Sequence, residues 1–189
     1  MSDILSGSKG IINDILQYWF SDEVRKLWFH STPEFDQELV RRYEAVWESA
    51  FSGKLEEMKK TANGCLVLSI ILDQFPLNMF RGTKKSFLSE QMAVEVARLA
   101  IEKGFDEELD RDKVGFLYMP LMHSENLEDQ ALSLSLFMAA NLENNIRFAM
   151  HHYKLIEEFG RFPHRNAILG RKSTKQELEY LASKRAFKG

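Results

Sequence analysis

A chain of 189 residues, 44% of them hydrophobic, is long enough to bury a sizeable core, and its length favours a single domain spanning 1–189. The net charge of −3 excludes an overall basic field that would draw the chain onto nucleic acid or an anionic membrane. A lone cysteine, Cys65, excludes an internal disulfide and has no CxxC partner for zinc, which points to a reducing, cytoplasmic compartment.

The opening "MSDILSGSKG" has neither a basic start nor a sustained apolar stretch, so it does not read as a signal peptide, and its first eight or so residues are expected to be flexible. Apolar residues then recur at three-and-four spacing almost throughout, which predicts an all-α protein. A first helix is predicted over 9–20, and Ser21 caps the next segment. Thr32 and Pro33 open a long helix through Phe35, Leu39, Tyr43, Trp47 and Ala50. After an "ANG" turn, "CLVLSIILDQF" is apolar nearly all round, which predicts a central buried helix that Pro76 closes. It is far shorter than the roughly 20 apolar residues that a membrane span needs.

An amphipathic helix follows and stops at Gly104, and a shorter one is kinked or ended by Pro120. "NLEDQALSLSLFMAAN", with Ser124 as candidate cap, and "ENNIRFAMHHYKLIEEFG" make two more helices. "HRNAILG" reads as a turn, and Thr174 with Glu177 gives a last helix a capping-box spacing. Short loops between these elements predict antiparallel helix pairs stacked in a right-handed array.

Polar residues that are odd for their context gather in three stretches at helix ends, which are expected to meet. "LDQFPLNMFRG" brings Asp73, Gln74, Asn78 and Arg81, and "LMHSENLEDQ" brings His123, Ser124, Glu125, Asn126, Asp129 and Gln130. "FGRFPHRNAILGR" brings Arg161, His164, Arg165, Asn166 and Arg171 without one acid. Two uses compete for these arginines. In one they pair with Asp73, Glu125 or Asp129 as a structural lock. In the other they hold a phosphate or carboxylate. Histidines 123, 152 and 164 add a candidate acid–base group that Glu125 or Asp73 would orient, although no nucleophile stands beside them. His123, Glu125, His152 and His164 are metal-ligand types but lack any HExxH-like spacing, so neither a metal nor a cofactor is expected.

"LDQFPLNMFRGT", "FLYMPLMHSENLEDQ" and "FGRFPHRNAILGRKST", in that order, resemble the bacterial family called domain of unknown function 924 over nearly the whole chain. The resemblance implies a compact, right-handed superhelix similar to tetratricopeptide-repeat proteins, and no established activity. Its signature positions fall on Asp73, Gln74, Phe75, Pro76, Asn78, Arg81 and Gly82, then on His123, Ser124, Glu125 and Gln130. The last group is His152, Gly160, Arg161, Phe162, Pro163, His164, Arg165, Asn166, Gly170 and Arg171. Leu77 stands where family members carry an arginine in "DQFPRN", which removes one cation from the pattern.

The leading expectation is a pocket that binds a small anionic ligand or an acidic peptide terminus. Arg161, Arg165 and Arg171 would supply charge, Gln74, Asn78 and Asn166 would orient the ligand, and His123 and His164 would tune protonation. The alternatives are a hydrolase or transferase acting on a phosphorylated or carboxylated small molecule through His123 or His164 with Glu125, and a protein-interaction module with a concave groove.

Overall fold

The computed structural model describes residues 2–187, with side chains from residue 7 onward; Met1, part of the N-terminal segment expected to be flexible, lies outside them. Among the described residues the elements are helical, with no strand. The chain divides into two compact units, Met1–Arg81 with Lys85–Pro120, and Gly82–Lys84 with Leu121–Gly189.

The first unit holds α1 (Ser2–Trp19), α2 (Asp22–Arg25), α3 (Pro33–Phe51), α4 (Ala62–Ser69), α5 (Phe75–Met79), α6 (Glu90–Glu102) and most of α7 (Arg111–His123). The predicted caps work as their chemistry requires: Ser21 accepts from the Val24 amide, and Thr32 accepts from the Phe35 amide with Pro33 in the first turn. The face of α3 spaced at three and four, from Phe35 to Ala50, is buried. Trp19 is fully buried, with Phe75 and Phe116 edge-on at 5.4 and 5.7 Å. Each such ring contributes roughly 1.5–3 kcal/mol by leaving water. Trp28 and Trp47 belong to the same unit. Burial pushes the Cys65 thiol up to about 11, so it is not a reactive thiolate.

Several predicted boundaries shift. The first helix begins at Ser2, well before residue 9. "ANG" is the first turn of α4 and not a loop, with the Thr61 hydroxyl capping the Gly64 amide. Glycine is required there because a Cβ would lie 1.9 Å from the Met58 carbonyl oxygen. Nor does Pro76 end the buried helix. A widened π turn over Ile70–Gln74 precedes α5, and the Phe75 amide reaches back to the Ile70 carbonyl.

Proline has no N–H, and in an ordinary α-helical register the carbonyl it would leave without a donor is that of Leu72, four residues earlier. The Ser89 hydroxyl donates to that carbonyl at 2.6 Å and accepts from the Trp47 indole at 2.9 Å. Ser89→Ala leaves both groups buried without this partner and is expected to cost about 1–3 kcal/mol in urea unfolding. A loss under about half a kcal/mol would mean that other groups satisfy the proline-freed carbonyl.

Pro120 likewise lies inside α7, which runs on to His123. In the second unit α8 (Leu127–Ala139) and α9 (Glu143–Phe159) pack on each other across a short turn, in which Asn141 takes a positive φ of 53°. Asn126, not Ser124, caps α8 by accepting from the Glu128 and Asp129 amides. Ser124 instead donates to Asp129 at 2.6 Å. Gly160, at φ 67°, ends α9. "HRNAILG" is helical and not a plain turn: a 3-10 turn over Pro163–Arg165 runs into the one-turn α10 (Asn166–Leu169). The last helix, α11 (Lys175–Leu181), carries the complete Thr174 and Glu177 capping box.

Candidate functional site

The second and third polar stretches come together within the carboxy-terminal unit. Glu125, between α7 and α8, accepts from Arg171 Nη1 at 2.5 Å and Nη2 at 2.9 Å, and from the Phe162 amide at 2.7 Å. Arg171 donates further to Asn166 Oδ1 at 2.9 Å and to the Phe162 carbonyl at 3.2 Å. Burial alone would raise the Glu125 pKa, but the guanidinium and the amide more than offset it and hold the carboxyl below its ordinary range.

A second fork lies beside the first. Arg161 donates Nε and Nη2 to Glu177 at 2.6 and 2.8 Å and reaches the Lys172 carbonyl at 3.0 Å. Glu177 also closes the cap of α11, and the Arg161 hydrogen bond brings it down to about 2. Arg165 is buried, donates to the His123 carbonyl at 2.9 Å and lies over the Phe162 ring at 4.5 Å. The forks of Arg161 and Arg171, expected to supply charge to a ligand, are therefore bound to protein carboxylates. Asn166 is likewise taken up within the unit, its amide donating to Ser173 at 3.1 Å.

Asp73, Gln74, Asn78 and Arg81 belong to the amino-terminal unit. The first three are buried, which follows from their place at the end of an all-round apolar helix. Gln74 donates to Asp73, Asn78 donates to the Gln74 carbonyl, and Arg81 donates to Asp36, Ser31 and Asn78.

The histidines of the carboxy-terminal unit form an aromatic cluster. His152 is buried on α9, 6.3 Å from the His123 ring and 5.2 Å from Phe162. Burial, helped by the neighbouring His123, pushes His152 down to about 3, and its Nδ1 meets the Phe148 carbonyl at 2.8 Å. The neutral ring donates that bond, which fixes the Nδ1–H tautomer. His164 is half-buried, 5.5 Å from Phe162, and burial with the adjacent Arg165 charge brings it down to about 4. Both rings are neutral near pH 7. Glu125, expected to orient a catalytic histidine, holds Arg171 and the Phe162 amide instead. Among the described residues no group of three or more His, Cys, Asp or Glu side chains is placed to hold a metal ion, and no helix is long and apolar enough to cross a membrane.

Beside His164 opens a recess of about 360 Å³, lined by Pro163, His164, Ala167, Ser173, Leu178, Leu181, Ala186 and Phe187. Only Pro163, His164 and Ala167 of this wall lie in the arginine-rich stretch. The remainder comes from the last helix and the residues around it, where "LASKRAF" signalled a helix end but no site. Phe187 was the missed residue: its ring lies 4.7 Å from His152 and 5.1 Å from His164.

The family model for bacterial proteins of unknown function, DUF924, matches residues 15–185. A solved protein of unknown function from Agrobacterium tumefaciens is similar over 93% of this chain and 98% of its own, at 31% identity and a TM-score of 0.88. No curated protein matches. With its arginine-rich stretch and its histidine-bearing segments all inside the matched region, the chain belongs to the DUF924 family.

Proposed function

We propose that the carboxy-terminal unit is a binding module for a small organic acid. The apolar part of the ligand enters the recess beside His164, and its carboxylate meets lysines at the surface nearby. The supporting observation is the recess itself, a concavity of ligand size with mostly apolar walls and two polar side chains, His164 and Ser173. Lysines, not the arginines, are the cations left for an anion. Lys172 is exposed beside Ser173, as is Lys175, whose Nζ lies 3.9 Å from Glu179. Lys84 is also exposed, its Nζ 3.4 Å from where a Cβ on Gly170 would stand. The arginine and glutamate forks then serve as the frame that holds α10, α11 and the recess wall in place.

The test is an NMR titration of the whole chain with acetate, butyrate, hexanoate and the corresponding amides, repeated with Ala167→Phe and Lys172→Glu. Affinity is expected to rise with chain length, to fall about tenfold for the amides, a loss of about 1.4 kcal/mol, and to vanish in Ala167→Phe, where the added ring fills the recess. Amides that bind as well as acids would remove the carboxylate from the reading. Binding that survives Ala167→Phe would place the ligand elsewhere.

A further inference from the structure

After α11 ends, residues 182–187 fold back across the histidine cluster. Two turn bonds shape this strap, from the Ser183 amide to the Tyr180 carbonyl and from the Ala186 amide to the Ser183 carbonyl. The buried Tyr180 hydroxyl then clasps its far end, accepting from the Phe187 amide at 2.8 Å and lying 3.3 Å from the Arg185 carbonyl. The Phe187 ring is received edge-on by His152 and His164, at 68° and 67°, with His151 6.0 Å away. Phe162 stands behind both histidines, at 5.2 and 5.5 Å. Such edge-to-face contacts select a flat ring of benzene size. Phe187 is nevertheless only half-buried, unlike the fully buried Phe162 beneath it, and it also lines the recess.

We infer that the slot between His152 and His164 is a binding site for an aryl group, and that Phe187 is its resident, displaceable occupant. A ligand with a phenyl ring takes the place of Phe187, with the strap lifting as it enters. This rests on the reading of the recess as a ligand site and adds the ligand class and its control. The strap lowers the apparent affinity for such a ligand by the fraction of time the slot is closed. Loosening the clasp therefore tightens binding without adding a contact.

Benzyl alcohol, which is neutral, is the probe, titrated by NMR into the whole wild-type chain, Tyr180→Phe and Phe187→Ala, with the ring protons of His152 and His164 as readout. Tyr180→Phe keeps every ring but removes the acceptor of the Phe187 amide, so the affinity is expected to rise about three- to tenfold. Phe187→Ala is expected to raise it by more than about tenfold, with ring-current shifts at both histidines in each case. A gain with Phe187→Ala alone overturns the inference, since truncating a ring opens a cavity in any packed site. Equal binding by all three chains overturns it too, as does binding without histidine shifts or no binding at all. Hexanoate in the same samples separates the two readings: if hexanoate binds and benzyl alcohol does not, the recess stands and the aryl slot falls. If neither binds, both fall.

Discussion

Acidification from pH 7 to 4.5 is expected to destabilise the carboxy-terminal unit by up to about 5 kcal/mol, most of it above the range in which ordinary carboxylates titrate. The cause is the two histidines held neutral in the fold, His152 at about 3 and His164 at about 4, against an ordinary value of 6.5. Between those values and 6.5 the unfolded chain binds protons that the folded chain refuses. Stability is thus complete above pH 6.5 and is lost as pH falls, by up to about 2.7 kcal/mol per pH unit while both sites differ. Glu125 and Glu177 add to the loss only below their ordinary value of 4.5, because their folded pKa values are depressed. Urea midpoints by far-UV circular dichroism from pH 7 to 4.5, for wild type and His152→Phe, measure the effect. The variant should lose roughly half of the slope. A midpoint that stays level down to pH 5 would mean that both histidines titrate normally and that the cluster is open to water.

The second large effect concerns the fork between Arg171 and Glu125. Glu125→Ala deprives the guanidinium of its carboxylate and the Phe162 amide of its acceptor in one step. Breaking a buried pair costs about 3–5 kcal/mol; both side chains here are about a quarter exposed, so about 2–4 kcal/mol is expected. The double-mutant cycle with Arg171→Ala isolates the pair, with an expected coupling of about 1.5–3 kcal/mol in urea unfolding. Coupling below about 0.5 kcal/mol would reduce the fork to an ordinary surface ion pair and remove it as the frame of the recess.

Local chemistry was readable in the sequence wherever a residue acts on its own neighbours. Thr32 and Thr174 cap the helices they precede, and the α3 face follows from spacing alone. Where a distant residue changes the outcome, the sequence misleads. Pro76 signals a helix end, yet Ser89 supplies the missing donor from thirteen residues along the chain. Ser124 has the chemistry of a cap, but Asp129 takes its hydroxyl and Asn126 caps in its place. The candidate site divides in the same way. The cations of "FGRFPHRNAILGR" were visible, and so was Glu125 as a partner for one of them. Glu177 was visible only as a helix cap, because nothing local shows that its carboxylate also takes Arg161. Phe187 carried no signal, since a single aromatic near the end of a polar segment has no periodicity to reveal what it covers.

All three tryptophans lie in the amino-terminal unit and none in the carboxy-terminal one. Intrinsic fluorescence is therefore an internal label for one half of the chain, while ellipticity counts the helices of both. At neutral pH the two signals test whether the halves melt as one cooperative body, because coincident curves are the mark of a two-state transition. Under acid, where the histidine cluster weakens only its own half, ellipticity should begin to fall while the indole emission is still native. The uneven placement of a single amino-acid type thus lets two ordinary spectrometers follow the stabilities of the two units separately.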